Sequence, residues 1–131
     1  MTNDLIEAYY ARFNAMNWDA MLELMSEDVA HDVNESTREL GKVAFKTFFE
    51  RMNRSYAENI SDVSVTVNAA GSRSAAEYVV SGTYQQTDAR LPEARGQRYR
   101  LPGGAFFEIK DGKINRVTNY YNLQLWLQQI K

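Results

Sequence analysis

The chain has 131 residues, of which 44% are hydrophobic and 24% charged, with 15 Lys plus Arg against 17 Asp plus Glu. That length suits one hydrophobic core, so a single domain over 1–131 is expected, and the composition excludes a disordered chain. A net charge of -2 lacks the basic surplus of a nucleic-acid binder, and the absence of cysteine excludes disulfides and thiolate chemistry.

The first helix is predicted to start at Thr2 or Asn3, either of which can cap free amides, and to bury Leu5, Tyr9, Phe13 and Met16. Asn17 reads as a break and a new cap. Trp18, Met21, Leu22 and Met25 then mark a second, short helix. Val29, His31 and Val33 alternate with Ala30, Asp32 and Asn34, which predicts a short strand. Asn34 to Gly41 reads as a loop. Phe45, Phe48, Phe49, Met52 and Tyr56 mark one side of a third helix.

The period then drops to two. Val63, Val65 and Val67 alternate with polar residues up to a turn at Ala70-Gly71. Ser74 to Tyr84 is the next strand, with Tyr78, Val80, Gly82 and Tyr84 on one face and Glu77, Val79, Ser81 and Thr83 on the other. Gly82 leaves space on a face of large side chains. After the polar stretch Gln85 to Arg95, strand character resumes from Gly96 to Lys110, and Pro102 within it predicts a bulge or an edge. Arg98 and Arg100 share a solvated face. Asp111-Gly112 signals a type I′ hairpin into Lys113 to Tyr121. Leu123, Trp126, Leu127 and Ile130 close the chain with helical spacing. Helices first and paired strands afterwards argue an α+β fold with an antiparallel sheet.

His31 is the only histidine. Beside it stands Asp32, but neighbours on a strand point to opposite faces, so Asp32 orients His31 only across a bulge. His31 reads either as a proton carrier in a cavity or as a structural histidine. No HExxH, EF-hand, phosphate loop or GxSxG occurs, and no metal or cofactor is expected. Tyr9, Tyr78, Tyr84, Tyr99, Phe107 and Tyr121 fall on apolar stripes. They read as core packing or as a ligand wall whose hydroxyls need partners. Asn119 shares a face with Val117 and Tyr121. No run of 18 apolar residues occurs and the N-terminus lacks a signal-peptide pattern, so a soluble, cytoplasmic protein without membrane contact is expected.

Three stretches, IEAYYARFNAMNWDAMLELMSEDVAHDVN, STRELGKVAFKTFF and GGAFFEIKDGKINRVTNYYNL, resemble the SnoaL-like, ketosteroid isomerase-related branch of the nuclear transport factor 2-like superfamily. The resemblance spans almost the whole chain. It implies a curved sheet wrapped around a long helix as a cone, an internal cavity for a small apolar or polyketide-like molecule, and a homodimer through the outer sheet face. Glu77, Val79, Ser81 and Thr83 are the implied interface. It also implies that Tyr78, Val80, Phe107, Val117, Asn119 and Tyr121 line the cavity.

Laid on the isomerase pattern, the helix-borne oxyanion donor matches Tyr9. The general base falls on Val33 and the second oxyanion acid on Ala105. Tyr9 as donor, His31 or Asp32 as proton carrier, and Asn119 and Tyr121 as orienting groups form the expected catalytic set. Isomerisation or cyclisation is the expected chemistry, and a non-catalytic binding or dimerisation module is the alternative.

Overall fold

A change of period at Tyr56 divides the chain. The computed structural model describes residues 1–131. Ahead of Tyr56 stand α1 (Thr2–Asn14), α2 (Trp18–Leu22), β1 (Met25–Asp32), β2 (Arg38–Leu40) and α3 (Lys42–Ser55). Beyond it run β3 (Tyr56–Val67), β4 (Arg73–Tyr84), β5 (Gln97–Lys110), β6 (Lys113–Tyr121) and α4 (Leu123–Gln129). The expected α+β class is the observed one. One six-stranded sheet has the order β2-β1-β6-β5-β4-β3 and packs its inner face on the N-terminal helices.

The sheet is mixed rather than wholly antiparallel, because β1 runs parallel to β6 while the other neighbours are antiparallel. β2 lies inside the segment expected as a loop. It is only three residues long, too short for a period to show, and forms by pairing with β1, with Glu39 opposite His31. β3 starts well before the valines that announced it. A bulge between Ser61 and Ser64, where Asp62 takes φ 53, reverses which residues face inward. Tyr56, Glu58 and Ile60 therefore face the core side. Tyr56 itself belongs to the strand rather than to the end of α3.

The helix caps split. Asn17 accepts from the Ala20 amide as expected. No side chain caps α1: the Thr2 hydroxyl donates instead to the Gly71 carbonyl at 2.8 Å, tying α1 to the β3–β4 turn. Met16 lies past the end of α1 and is exposed, so it is not part of the buried stripe.

Pro102 marks an edge but no bulge. It pairs in register with Val79, and β6 begins its pairing only at Gly103. Two residues earlier the Arg100 amide donates to the Gln129 side chain of α4, so backbone amides on this side of β5 find no strand. A residue without an N–H fits there. The β5–β6 hairpin is as read: Asp111 and Gly112 both have positive φ (52 and 74). The core gathers Ile6, Tyr9 and Tyr10 of α1, Phe45 and Phe49 of α3, and inward residues of β4, β5 and β6. No helix is long and apolar enough to cross a membrane.

Candidate functional site

Between α1, α3 and the inner face of the sheet lies a pocket of about 380 Å3, lined by 27 residues of which 19 are hydrophobic. That size and character fall in the ordinary range for small-molecule sites, about 300–1,000 Å3. Its wall is largely aromatic. Trp18 stacks on Phe49 with centroids 5.3 Å apart, and Tyr10 packs on Tyr78 at 5.5 Å.

His31 reaches the pocket from β1. It is 1% exposed, stacks on Phe45 at 4.3 Å and meets the edge of Phe48 at 4.7 Å. Burial among these rings pulls its pKa down to about 4, against a smaller opposing effect of Asp32. The imidazole is therefore neutral at pH 7. Its Nε2 stands 3.5 Å from Asn119 Nδ2. Its Nδ1 stands 3.8 Å from Glu39 Oε1, and both of those atoms are buried without a hydrogen bond. A carboxylate oxygen at Nδ1 favours the tautomer protonated there and leaves Nε2 as the basic atom.

Asp32 lies elsewhere. Its side chain turns to the opposite face of β1, where Arg38 donates to it at 2.6 and 3.0 Å and the Thr118 hydroxyl at 2.6 Å. Chiefly through the Arg38 bonds, its pKa is held down at about 2. It does not line the pocket.

Of the other expected residues, Tyr9, Tyr78, Val80, Asn119 and Tyr121 line the pocket. Phe107 and Val117 do not. Both are fully buried, with Phe107 packed edge-on behind Tyr9 at 5.5 Å. The inward face continues past the pocket into solid core, so sharing a face does not guarantee reaching the cavity. Burial raises the Tyr9 hydroxyl well above its usual range, and that of Tyr78 to about 12, so both remain neutral donors. Three carboxyl groups join the site without having been singled out: Glu39 beside His31, Asp88, which lines the pocket and accepts from the Tyr56 hydroxyl at 2.8 Å, and Glu58 on β3, which lines the pocket and accepts from the Tyr99 hydroxyl at 2.5 Å. No group of three or more His, Cys, Asp or Glu side chains is placed to hold a metal ion.

The SnoaL-like domain model matches residues 6–117. The chain belongs to the SnoaL-like family. It is 55% identical to a candidate polyketide cyclase from Xanthomonas campestris pv. campestris, with a TM-score of 0.98 over 99% of this chain and 96% of that one. A candidate polyketide cyclase from Pseudomonas putida KT2440 is 53% identical, with a TM-score of 0.98 over 100% and 98% of the two chains. A third, from Silicibacter sp. TM1040, is 48% identical, with a TM-score of 0.97 over 99% and 95%. Among curated proteins, none matches. The fold is shared with a nuclear transport factor 2-like protein from Burkholderia pseudomallei K96243, at 10% identity and a TM-score of 0.84 over 99% and 97% of the two chains: a curved sheet around N-terminal helices.

Within this SnoaL-like frame, the two isomerase positions that lack an acid are instructive. Val33 lines the pocket as an apolar residue, and Ala105 is buried in the core. The ionisable groups at the pocket are instead His31 on β1 with Glu39 of β2 behind it, Glu58 on β3, and the Arg51–Asp88 pair. A glutamate sharing a face with Tyr56 and Ile60 was the available signal for Glu58, but only with the bulge at Asp62 known.

Proposed function

We propose that this SnoaL-like protein is an acid/base enzyme, an isomerase or cyclase, acting on a small apolar or polyketide-like substrate held in the pocket. The observation that carries the reading is His31: a neutral imidazole inside an aromatic-walled space, with a carboxyl oxygen behind Nδ1. A proton taken from a carbon beside a carbonyl reaches Nε2. The positive charge so formed lies beside Glu39, which favours it. Tyr9, Tyr78 and Tyr121 supply neutral hydroxyls toward the developing oxyanion, and Asn119 and Tyr121 orient the substrate. This division of labour uses only side chains of this chain. Three relatives at 48–55% identity are candidate polyketide cyclases, which agrees with a polycyclic ketone as substrate class.

The test is proton exchange at the carbon beside the carbonyl of 2-tetralone in D2O, followed by NMR. The wild type is expected to accelerate exchange, and His31→Ala to lose roughly 100-fold of that acceleration. Exchange at the uncatalysed rate with binding intact would show a binding module instead, and equal acceleration by the two proteins would sink His31 as the base.

We further propose that two copies pair through the outer sheet face, across Glu77, Val79, Ser81 and Thr83. Phe106 and Tyr120 support this. Their rings pack on each other at 5.8 Å on the outer face and stay exposed.

A further inference from the structure

Glu58 is held by a device built across three strands. Register sets Glu58 opposite Gly82, and Gly82 opposite Tyr99, so the three form one row over β3, β4 and β5. A Cβ at Gly82 would fall 2.3 Å from Cζ and 2.4 Å from the hydroxyl oxygen of Tyr99. The bare glycine thus lets the Tyr99 ring lie across β4 and reach a carboxyl two strands away. Its hydroxyl donates to Glu58 Oε2, the one hydrogen bond that the Glu58 carboxyl makes. The arrangement is repeated nearby, where the Tyr78 ring lies over Gly103.

No cation pairs with this carboxyl. Tyr99 of β5 bonds it, and Tyr78 of β4 and Tyr121 of β6 line the same pocket. Elsewhere on the lining, His31 faces Glu39 at 3.8 Å and Arg51 faces Asp88 at 3.9 Å. Burial in an apolar wall raises the Glu58 pKa, and the Tyr99 bond only partly offsets it. A neutral carboxyl has one O–H to give. Oε2 is engaged as an acceptor, which leaves Oε1 to carry the proton.

We propose that Glu58 is a ligand-contacting residue, whose Oε1–H donates to the carbonyl or quinone oxygen of an aromatic ketone while Tyr99 fixes its orientation. The proposal rests on the pocket being the ligand site. It adds a recognition group that selects oxygenated polycycles over bare hydrocarbons of the same shape, because a buried donor left unpaired weakens binding.

Two probes separate these ideas: 2-acetylnaphthalene, which has an acceptor oxygen, and 2-ethylnaphthalene, which has none. Affinities are measured by calorimetry for the wild type, Glu58→Ala and Glu58→Gln. A carbon-13 titration of the Glu58 carboxyl locates its ionisation. The wild type is expected to prefer the ketone. Glu58→Ala loses roughly tenfold in ketone affinity and little for the hydrocarbon, and Glu58→Gln, whose amide donates, keeps the preference. In the wild type the preference holds on the acid side of the carboxyl titration and fades as pH rises through it, since a carboxylate cannot donate. Equal loss for both probes in Glu58→Ala, or a preference that survives it, would overturn the role of Glu58 alone. Failure of the wild type to bind either probe would overturn the pocket as the ligand site, and this proposal with it.

Discussion

His31 stands in a stack of phenyl rings on the strand that also carries Asp32, and its charge follows from whether burial or that carboxylate dominates. Burial does, and the folded protein holds the imidazole near 4 rather than 6.5. That depression is also a stability term. The neutral form is favoured in the fold, so the contribution is complete above pH 6.5 and is lost as pH falls toward 4, amounting to about 3 kcal/mol. Urea unfolding of the wild type and of His31→Gln across that window is expected to show a steep acid loss only in the wild type. Parallel curves would mean that His31 titrates as an ordinary surface histidine. Asp32→Asn is a useful contrast. It breaks contacts with Arg38 and Thr118 on the far face and is expected to leave the exchange of 2-tetralone near the wild-type rate. At this scale the alternation put His31 on one face with Val29 and Val33, away from Asp32, but left open whether that face met a cavity. It could not supply Glu39, which becomes a neighbour only when a three-residue strand pairs with β1.

At the scale of elements, the bulge in β3 decides what the pocket contains. Read backward from Val63, Val65 and Val67, strict alternation would turn Glu58 out to solvent. The extra residue at Asp62 switches the parity and turns it in. No period in the sequence marks such a switch, whereas the space at Gly82 was legible because a glycine on a face of large side chains has few other uses. Gly82→Ala tests that element directly. The added methyl overlaps the Tyr99 ring, so the variant is expected to be destabilised by about 1–3 kcal/mol in urea unfolding. The Glu58 carbon-13 titration should shift with it as the Tyr99 bond is disturbed. Unchanged stability together with an unchanged titration would mean that the ring does not rest on the glycine.

For the whole molecule, the order of helices and strands and the Asp111-Gly112 hairpin were readable because each depends on local period and turn chemistry. The parallel pairing of β1 with β6 was not, since it joins segments separated by most of the chain. The outer face carries its own prediction. Sedimentation is expected to find a dimer for the wild type and a monomer for Phe106→Glu combined with Tyr120→Glu, with helix and strand content unchanged; a monomeric wild type would refute the pairing. The central claim, that a buried neutral histidine moves a proton inside this pocket, is tested most directly by the pH profile of 2-tetralone exchange. The acceleration is expected to rise with pH through one ionisation near 4, the value set for His31 by its burial, and that limb should be absent in His31→Ala. An acceleration that is flat through that range, or that keeps the same limb without His31, would contradict it.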